Sequence, residues 1–283
     1  MIQELAIVGV GLLGGSVAKA ARAGGLARRI VGVGRDVARL QPAVDDGSLD
    51  AATIELETGV READFILLAA PVLAIEGLLE RMWRAAPDGT VITDVGSTKR
   101  NIVRAAERLA ARRPLAFVGS HPLAGSEQSG YGVARADLFR GATVVVTPTE
   151  GTELGALKRV TEFWEALGAR VSSLDPETHD RTVAAISHLP HLIACALVDG
   201  AGRVEPAALE LAARGFRDTT RIAAGDPALW TAILLQNRAA ILDALTSFEG
   251  ALGQFREALE RGDRAAIDAL LGQGKRNRDA LGS

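Results

Sequence analysis

The chain has a single cysteine, Cys195, so no internal disulfide can form and a cross-linked secreted scaffold is excluded. A reducing, cytoplasmic setting fits. Aromatic residues make up only 4% of the sequence. Its arginines are spread along helix-patterned segments rather than gathered into a stripe with interleaved aromatics, so no nucleic-acid groove is expected. No apolar run of about 18 or more residues goes uninterrupted. The N-terminal MIQELAIVGVG enters a strand-like run without a basic leader segment. Neither export nor membrane insertion is therefore expected. The net charge is only -3 over 283 residues, and the four histidines form no histidine–carboxylate cluster at metal-ligand spacing, so no metal is expected. A small-molecule partner remains.

What is present is apolar content, 48% of the chain, enough to fill a sizeable core. In the first half, short β-branched runs alternate with longer helix-patterned segments, the signature of βαβ units feeding a mostly parallel sheet. Strands are predicted at Glu4–Val10, Arg29–Gly34, Phe65–Ala70, Thr90–Asp94, Phe117–Ser120, Thr143–Thr147 and Arg170–Ser173. Helices are predicted at Leu12–Ala23, Leu73–Arg84, Lys99–Ala111 and Thr152–Leu167. From Asp175 onward β-branched runs vanish and the apolar period nears 3.6. This gives an α/β domain over residues 1–174 and an all-helical one over 175–283. Asp175-Pro176 and Asp226-Pro227 each pair an N-cap with a first-turn proline, so helices should start there. The second should run apolar through Leu229, Ile233, Leu234, Ile241, Leu242 and Leu245, and a helical domain this apolar points to a homodimer. Cys195, in the apolar run Leu192–Val198, reads as core.

Gly9, Gly11 and Gly14 form G-x-G-x-x-G directly after the first strand and directly before the first helix, with Leu12 and Leu13 between the last two glycines. In that context Gly9 permits the tight turn, Gly11 lets the backbone approach a pyrophosphate, and Gly14 lets the helix pack on the strand. The helix N-terminus then offers free N–H groups to the phosphates of a nicotinamide dinucleotide. An acidic residue roughly 20 to 25 positions on commonly holds the adenosine ribose hydroxyls. Gly34 occupies that place, followed by Arg35 and Asp36. A small residue followed by arginine leaves room for a 2′-phosphate and a cation to hold it, which favours NADP. A solvated Arg35 with Asp36 turned in would serve NAD instead.

Three of the four histidines sit in two settings, Ser120-His121-Pro122-Leu123-Ala124-Gly125-Ser126-Glu127 and Ser187-His188-Leu189-Pro190-His191. His121 follows a predicted strand, where open α/β sheets place ligands. Neutral imidazole there can accept a hydroxyl proton as hydride leaves for a nicotinamide. The ordered set GVGLLGGS, DVGSTK, GSHPLAGSE, SHLPH and FRDTTRIAAGDPALW resembles the prephenate/arogenate dehydrogenase family, also called cyclohexadienyl dehydrogenases, over essentially the whole chain. The resemblance implies a Rossmann-type N-terminal domain, an all-helical C-terminal dimerisation domain and an active site between them. It implies oxidative decarboxylation of a cyclohexadienol on the route to tyrosine. By matching motif, His121 resembles the catalytic histidine, and Ser97 a serine that bonds the same substrate hydroxyl and orients that histidine. Arg221 matches an arginine holding a substrate carboxylate, with Arg217 a competing choice. Ser187 and His191 match residues lining the substrate pocket, Glu127 an acidic gate, and Trp230 an aromatic reaching toward the other subunit's site, with a core role as its alternative. His179 and His188 are assigned no role.

Other enzymes of this general layout remain as alternatives. A β-hydroxyacid dehydrogenase relies on a lysine in its helical domain, and here only Lys275 follows Lys158, which counts against it. A non-catalytic dinucleotide sensor would not need His121, Ser97 and Arg221 together. The chain ends soon after its helical domain, so no separate C-terminal regulatory domain is expected. Prephenate and arogenate are not distinguished at this level.

Overall fold

In the computed structural model, which describes residues 1–125 and 128–282, the first half runs β1 (Ile2–Val8), α1 (Leu12–Ala23), β2 (Ala27–Val33), α2 (Val37–Asp45), β3 (Ala51–Thr53), α3 (Leu56–Val60), β4 (Phe65–Leu68), α4 (Val72–Ala85), β5 (Val91–Asp94), α5 (Arg100–Ala110), β6 (Ala116–Pro122), β7 (Thr143–Thr147), α6 (Leu154–Ala166) and β8 (Arg170–Ser173). All eight strands join one sheet in the order β3-β2-β1-β4-β5-β6-β7-β8. Every pairing is parallel except that of β6 with β7. Because β1 lies between β2 and β4, the chain reverses its direction of winding there, and the carboxyl ends of these strands open a crevice suited to a ligand. Side chains alternate across the sheet: Leu5 and Ile7 join one buried cluster with Val17, Ala18 and Trp164, while Ala6 and Val8 join another with Ile75, Leu79 and Ile102. Helices covering both faces explain why β4 and β5 are buried at every position.

Among the described residues after Ser173 all regular structure is helical: α7 (Pro176–Val183), a π-helical turn (Ala184–His188), α8 (Leu189–Val204), a 3-10 turn (Pro206–Leu209), α9 (Arg214–Thr220), a 3-10 turn (Arg221–Ala224), α10 (Pro227–Gln236), α11 (Arg238–Glu260) and α12 (Arg264–Asp279). Asp175 and Asp226 cap as their sequence context predicts, accepting from the amides of Thr178 and Ala228 at 2.9 Å each. By compactness the chain divides into residues 1–237 and 238–283. The division falls beyond residue 174 because α7 packs on α5, and α10 on α4. In the second unit α11 and α12 form a hairpin whose turn uses Gly262 at φ +61°, with Asp263 capping α12 through the Ala266 amide at 3.0 Å.

The structure corrects two expectations. The helix begun at Pro227 does not continue to Leu245; it ends at Gln236, because the Asn237 side chain turns inward, donating to the Asp180 carbonyl at 2.7 Å and meeting His188 Nδ1 at 3.1 Å. Cys195 is exposed rather than core, on the outer side of the helical run with Ile186 and Leu197. A helix apolar on all sides can bury only one of them in a single chain. That run, Pro176–Val204, is long and apolar enough to cross a membrane by length and composition alone, with 33% of its most apolar window buried. Its inner side nevertheless carries buried His179, His188 and His191. The short elements α2, β3 and α3 were not anticipated.

Candidate active site

The glycine turn separates two kinds of demand. Gly9 has φ +101°, and a Cβ there would lie 2.3 Å from the Ala69 carbonyl oxygen. A Cβ on Gly14 would lie 2.0 Å from the carbonyl oxygen of Gly9. Both glycines are required by the protein's own packing. A Cβ on Gly11 would meet nothing within 4 Å, so its bare Cα serves something approaching from outside. Gly11 gives α1 no side-chain cap, which leaves the first-turn amides, beginning at Leu12 and Leu13, for anionic phosphates. The residues therefore fit a dinucleotide.

At the end of β2, a Cβ on Gly34 would lie 2.9 Å from Leu40 Cδ2. Asp36 is occupied as the N-cap of α2, accepting from the Ala38 amide at 2.9 Å, with Arg39 at 3.8 Å from its carboxylate. Arg35 is exposed and makes no ion pair among the described residues.

His121 lies within β6, paired opposite Val145 of β7, rather than beyond the strand's end. Its half-buried ring meets His179 of α7, Nδ1 to Nε2, at 2.9 Å. His179 Nδ1 in turn lies 2.8 Å from Asp180 Oδ1. Asp180 accepts from the amides of Lys99 at 2.7 Å and Arg100 at 3.1 Å, which ties α7 to the start of α5. Burial alone would raise the Asp180 carboxyl; the hydrogen bonds from His179 and the two amides outweigh it and hold it below its ordinary value. His121 Nε2 has no partner among the described residues.

Beneath this line sits a fully buried ion pair. Lys99 Nζ bonds Asp94 Oδ2 and donates to the Ser120 carbonyl at 2.8 Å. Asp94 accepts from the amides of Gly96 at 2.8 Å and Ser120 at 3.1 Å. The Ser120 hydroxyl is fixed by Trp164 Nε1 at 3.0 Å and Thr93 Oγ1 at 2.9 Å. The loop from β5 to α5 and the His121 strand are thereby locked together. Ser97 lies half-buried in that loop, and its hydroxyl has no hydrogen-bond partner among the described residues. The neighbouring Thr98 hydroxyl is buried and unpartnered.

On the helical side, His191 of α8 stacks on Trp230 of α10, with centroids 3.6 Å apart and planes at 12°. Trp230 thus lies against a histidine of its own chain. Gly225 enables the stack, because a Cβ there would lie 2.4 Å from Trp230 Nε1 and 3.0 Å from His191 Cε1. His191 Nδ1 is buried without a partner. Arg221 heads the 3-10 turn packed on α8 and is exposed with no ion pair among the described residues, whereas the Arg217 Nε is spent on the Ala212 carbonyl at 2.9 Å. Ser187 lies half-buried in the π-helical turn. Glu127 lies outside the described residues. His179, Asp180, Asp94, Lys99 and Asn237 were missed from sequence, although Asp94 and Lys99 belong to the same DVGSTK motif as Ser97. Among the described residues no group of His, Cys, Asp or Glu could hold a metal ion.

The histidines share an electrostatic setting. Burial pushes His121 well below its usual value, and the nearby Lys99 ammonium pushes the same way. Burial also lowers His191, and brings His188 down to about 4, against an opposing effect of Asp180. Folded His188 therefore refuses a proton that the unfolded chain accepts. The stability it contributes is complete above the ordinary value of 6.5 and is lost as pH falls toward about 4, at about 1.4 kcal/mol per pH unit. Urea unfolding at a series of pH values should show this acid-side slope, made steeper by His121 and His191. The variant His188→Asn should lose one proton's worth of it.

The comparisons with known proteins point one way. Residues 17–173 match the family model described as the prephenate dehydrogenase nucleotide-binding domain, and residues 175–273 the model described as its dimerization domain. The prephenate dehydrogenase of Bacillus subtilis (strain 168) is 33% identical over 99% of this chain and 76% of its own length. The structure of the Aquifex aeolicus prephenate dehydrogenase in complex with hydroxyphenyl propionate and NAD+ is 33% identical, with a TM-score of 0.92 over 99% of both chains. The Synechocystis arogenate dehydrogenase structure is 31% identical, with a TM-score of 0.86 over 99% of this chain and 100% of that one. A Rossmann-type sheet, a helical region built around SHLPH, and two adjoining domain models together place this chain within the prephenate dehydrogenase family.

Proposed function

We propose that the chain oxidises and decarboxylates prephenate, arogenate or both, with residues 1–174 holding the dinucleotide and 175–283 supplying the substrate side and a homodimer interface. The observation that carries this reading is His121, an imidazole held at Nδ1 by a buried neighbour while Nε2 has no partner among the described residues. Lowered in pKa by burial, the ring is neutral near pH 7 and ready to accept a proton. A dinucleotide held by the glycine turn and the first-turn amides of α1 would supply the hydride acceptor for the ring carbon that bears the substrate hydroxyl. His121 Nε2 takes the hydroxyl proton as that carbon becomes a carbonyl. The bond to the ring carboxylate then breaks, carbon dioxide departs, and its electron pair flows through the ring to the carbonyl oxygen as the ring becomes aromatic. His121 returns the proton to that oxygen.

Arg221 carries the other half of recognition, since its guanidinium, with no ion pair among the described residues, can bind a carboxylate through two hydrogen bonds. Arg221→Ala should raise KM roughly tenfold to a hundredfold, with kcat much less affected. Arg217→Ala should leave KM near the wild-type value, since its guanidinium is already engaged with backbone. Steady-state kinetics of both variants decide between them.

For the cofactor we favour NADP. Gly34 brings no carboxylate, Asp36 is committed to capping α2, and Arg35 is exposed with no ion pair among the described residues. An assay of prephenate and arogenate, each with NAD and NADP, followed by reduced-cofactor absorbance, tests the whole reading; no turnover in any combination would reject it. In the same assay Arg35→Ser should lower kcat/KM for NADP about tenfold and leave NAD nearly unchanged.

The dimer reading rests on the outer side of Pro176–Val204 and on α10, where Ile186, Leu197, Leu229 and Leu235 lie exposed in the single chain. An apolar surface of this extent favours burial against a second copy.

A further inference from the structure

Asp180, His179 and His121 form a line of hydrogen bonds whose direction can be worked out from its buried end. Asp180 Oδ1 accepts from the Lys99 amide and Oδ2 from the Arg100 amide, so the carboxylate is fixed in place as well as held ionised. An ionised carboxylate has no proton to give. The proton in the 2.8 Å contact therefore sits on His179 Nδ1. With that N–H as the one proton on its ring, His179 meets His121 through Nε2 as an acceptor. The proton in the 2.9 Å contact with His121 must then sit on His121 Nδ1, and His121 Nε2 is left bare.

We infer that His179 and Asp180 are positioning residues that fix His121 as its Nδ1–H tautomer, so that Nε2 is the atom that takes the substrate's hydroxyl proton. This rests on the reading of His121 as the base. His179 is fully buried and Asp180 nearly so, and Asn237 anchors the Asp180 backbone from a third direction, so the line has no freedom to reverse by rotating into solvent. The logic is that of a carboxylate orienting a catalytic imidazole, with a second imidazole set between the two. When His121 becomes an imidazolium, its Nδ1–H bond to His179 persists, and Asp180 supplies the opposing charge two rings away. Among the described residues, the other charged or titratable groups acting on His121 are Lys99, already paired with Asp94, and His188.

The test is a long-range 1H–15N spectrum of histidine-labelled protein at pH 8, with His121 assigned by the loss of its signals in His121→Asn. Wild type should show His121 protonated at Nδ1 and bare at Nε2. His179→Leu should turn that pattern into a mixture of tautomers and lower kcat about 10- to 100-fold with KM little changed. His179→Gln, whose oxygen can accept from His121 and whose amide can donate to Asp180, should restore most of both. A wild-type spectrum with the proton on Nε2, as a doubly protonated His179 would impose, overturns the inference. So does a folded His179→Leu with unaltered kcat. If His179→Leu does not fold, the wild-type spectrum and His179→Gln still decide. Retained turnover in His121→Asn would instead reject the base reading itself and leave the tautomer assignment standing.

Discussion

Replacing His121 by asparagine should lower kcat by about 10²–10⁴ while dinucleotide affinity stays close to wild type. Asparagine keeps a polar group on β6 but has no nitrogen that can take up a proton near neutral pH. The glycine turn and the amides of α1 lie on a different strand–helix connection, so cofactor titration by fluorescence should change little. The ring is also held ready: burial keeps it neutral, and His179 fixes its orientation at 2.9 Å. Restoring protonation at this position with added imidazole would be a chemical complement to the variant. Turnover within a few-fold of wild type would remove His121 from the chemistry.

Asp94→Asn should be the most damaging substitution for stability, at about 3–5 kcal/mol, because it leaves a buried ammonium without its counter-charge. Lys99 Nζ and Asp94 are fully enclosed, and burial already pushes the Lys99 pKa down, with Asp94 opposing. An asparagine of the same shape keeps an oxygen for one of the Gly96 and Ser120 amides but not the charge. Lys99 would then have to be deprotonated or draw in water, and the fixed link between the β5–α5 loop and the His121 strand would loosen with it. Urea unfolding measures the first effect. Activity per folded molecule measures the second. The double variant Asp94→Asn/Lys99→Met should recover part of the loss, since replacing both partners removes the orphaned charge. A single variant as stable as wild type would show that the pair contributes nothing.

How much of this was legible in the sequence depended on how local the causes were. Helix α1 begins at Leu12 and ends at Ala23, as read from the sequence, because a glycine turn starts it and a Gly24-Gly25 pair follows it. Strand β7 matches to the residue because it is an unbroken β-branched run, Thr143–Thr147, closed by Pro148, and β8 matches as well. Helix α2 escaped notice because Pro42 interrupts it and only Leu40 and Ala43 turn inward. The three-residue strand β3 exists only by pairing with β2. The same distinction governs the site. The glycine turn and the histidine motifs are contiguous and could be read directly. His179 could not, because its significance comes from a ring 58 positions earlier in the chain. Nor could the break at Asn237, whose side chain is drawn in by groups 49 and 57 positions away. Cys195 was misread for a related reason: in a segment apolar on every side, sequence pattern does not say which side is inward.

The π-helical turn at Ala184–His188 has a geometric consequence for the chemistry. An α-helix advances about 100° around its axis per residue, so His179 and His191, twelve positions apart, would point about 120° away from each other along a regular helix. A π turn absorbs roughly one residue of winding, and eleven effective steps bring the two rings to within about 20° of the same direction. One continuous helix can in this way present His179 to His121 and His191 to Trp230 on a single inward side. The turn acts as a phase correction: without it, a helix begun correctly at Asp175 would deliver one histidine to the site and aim the other away from it.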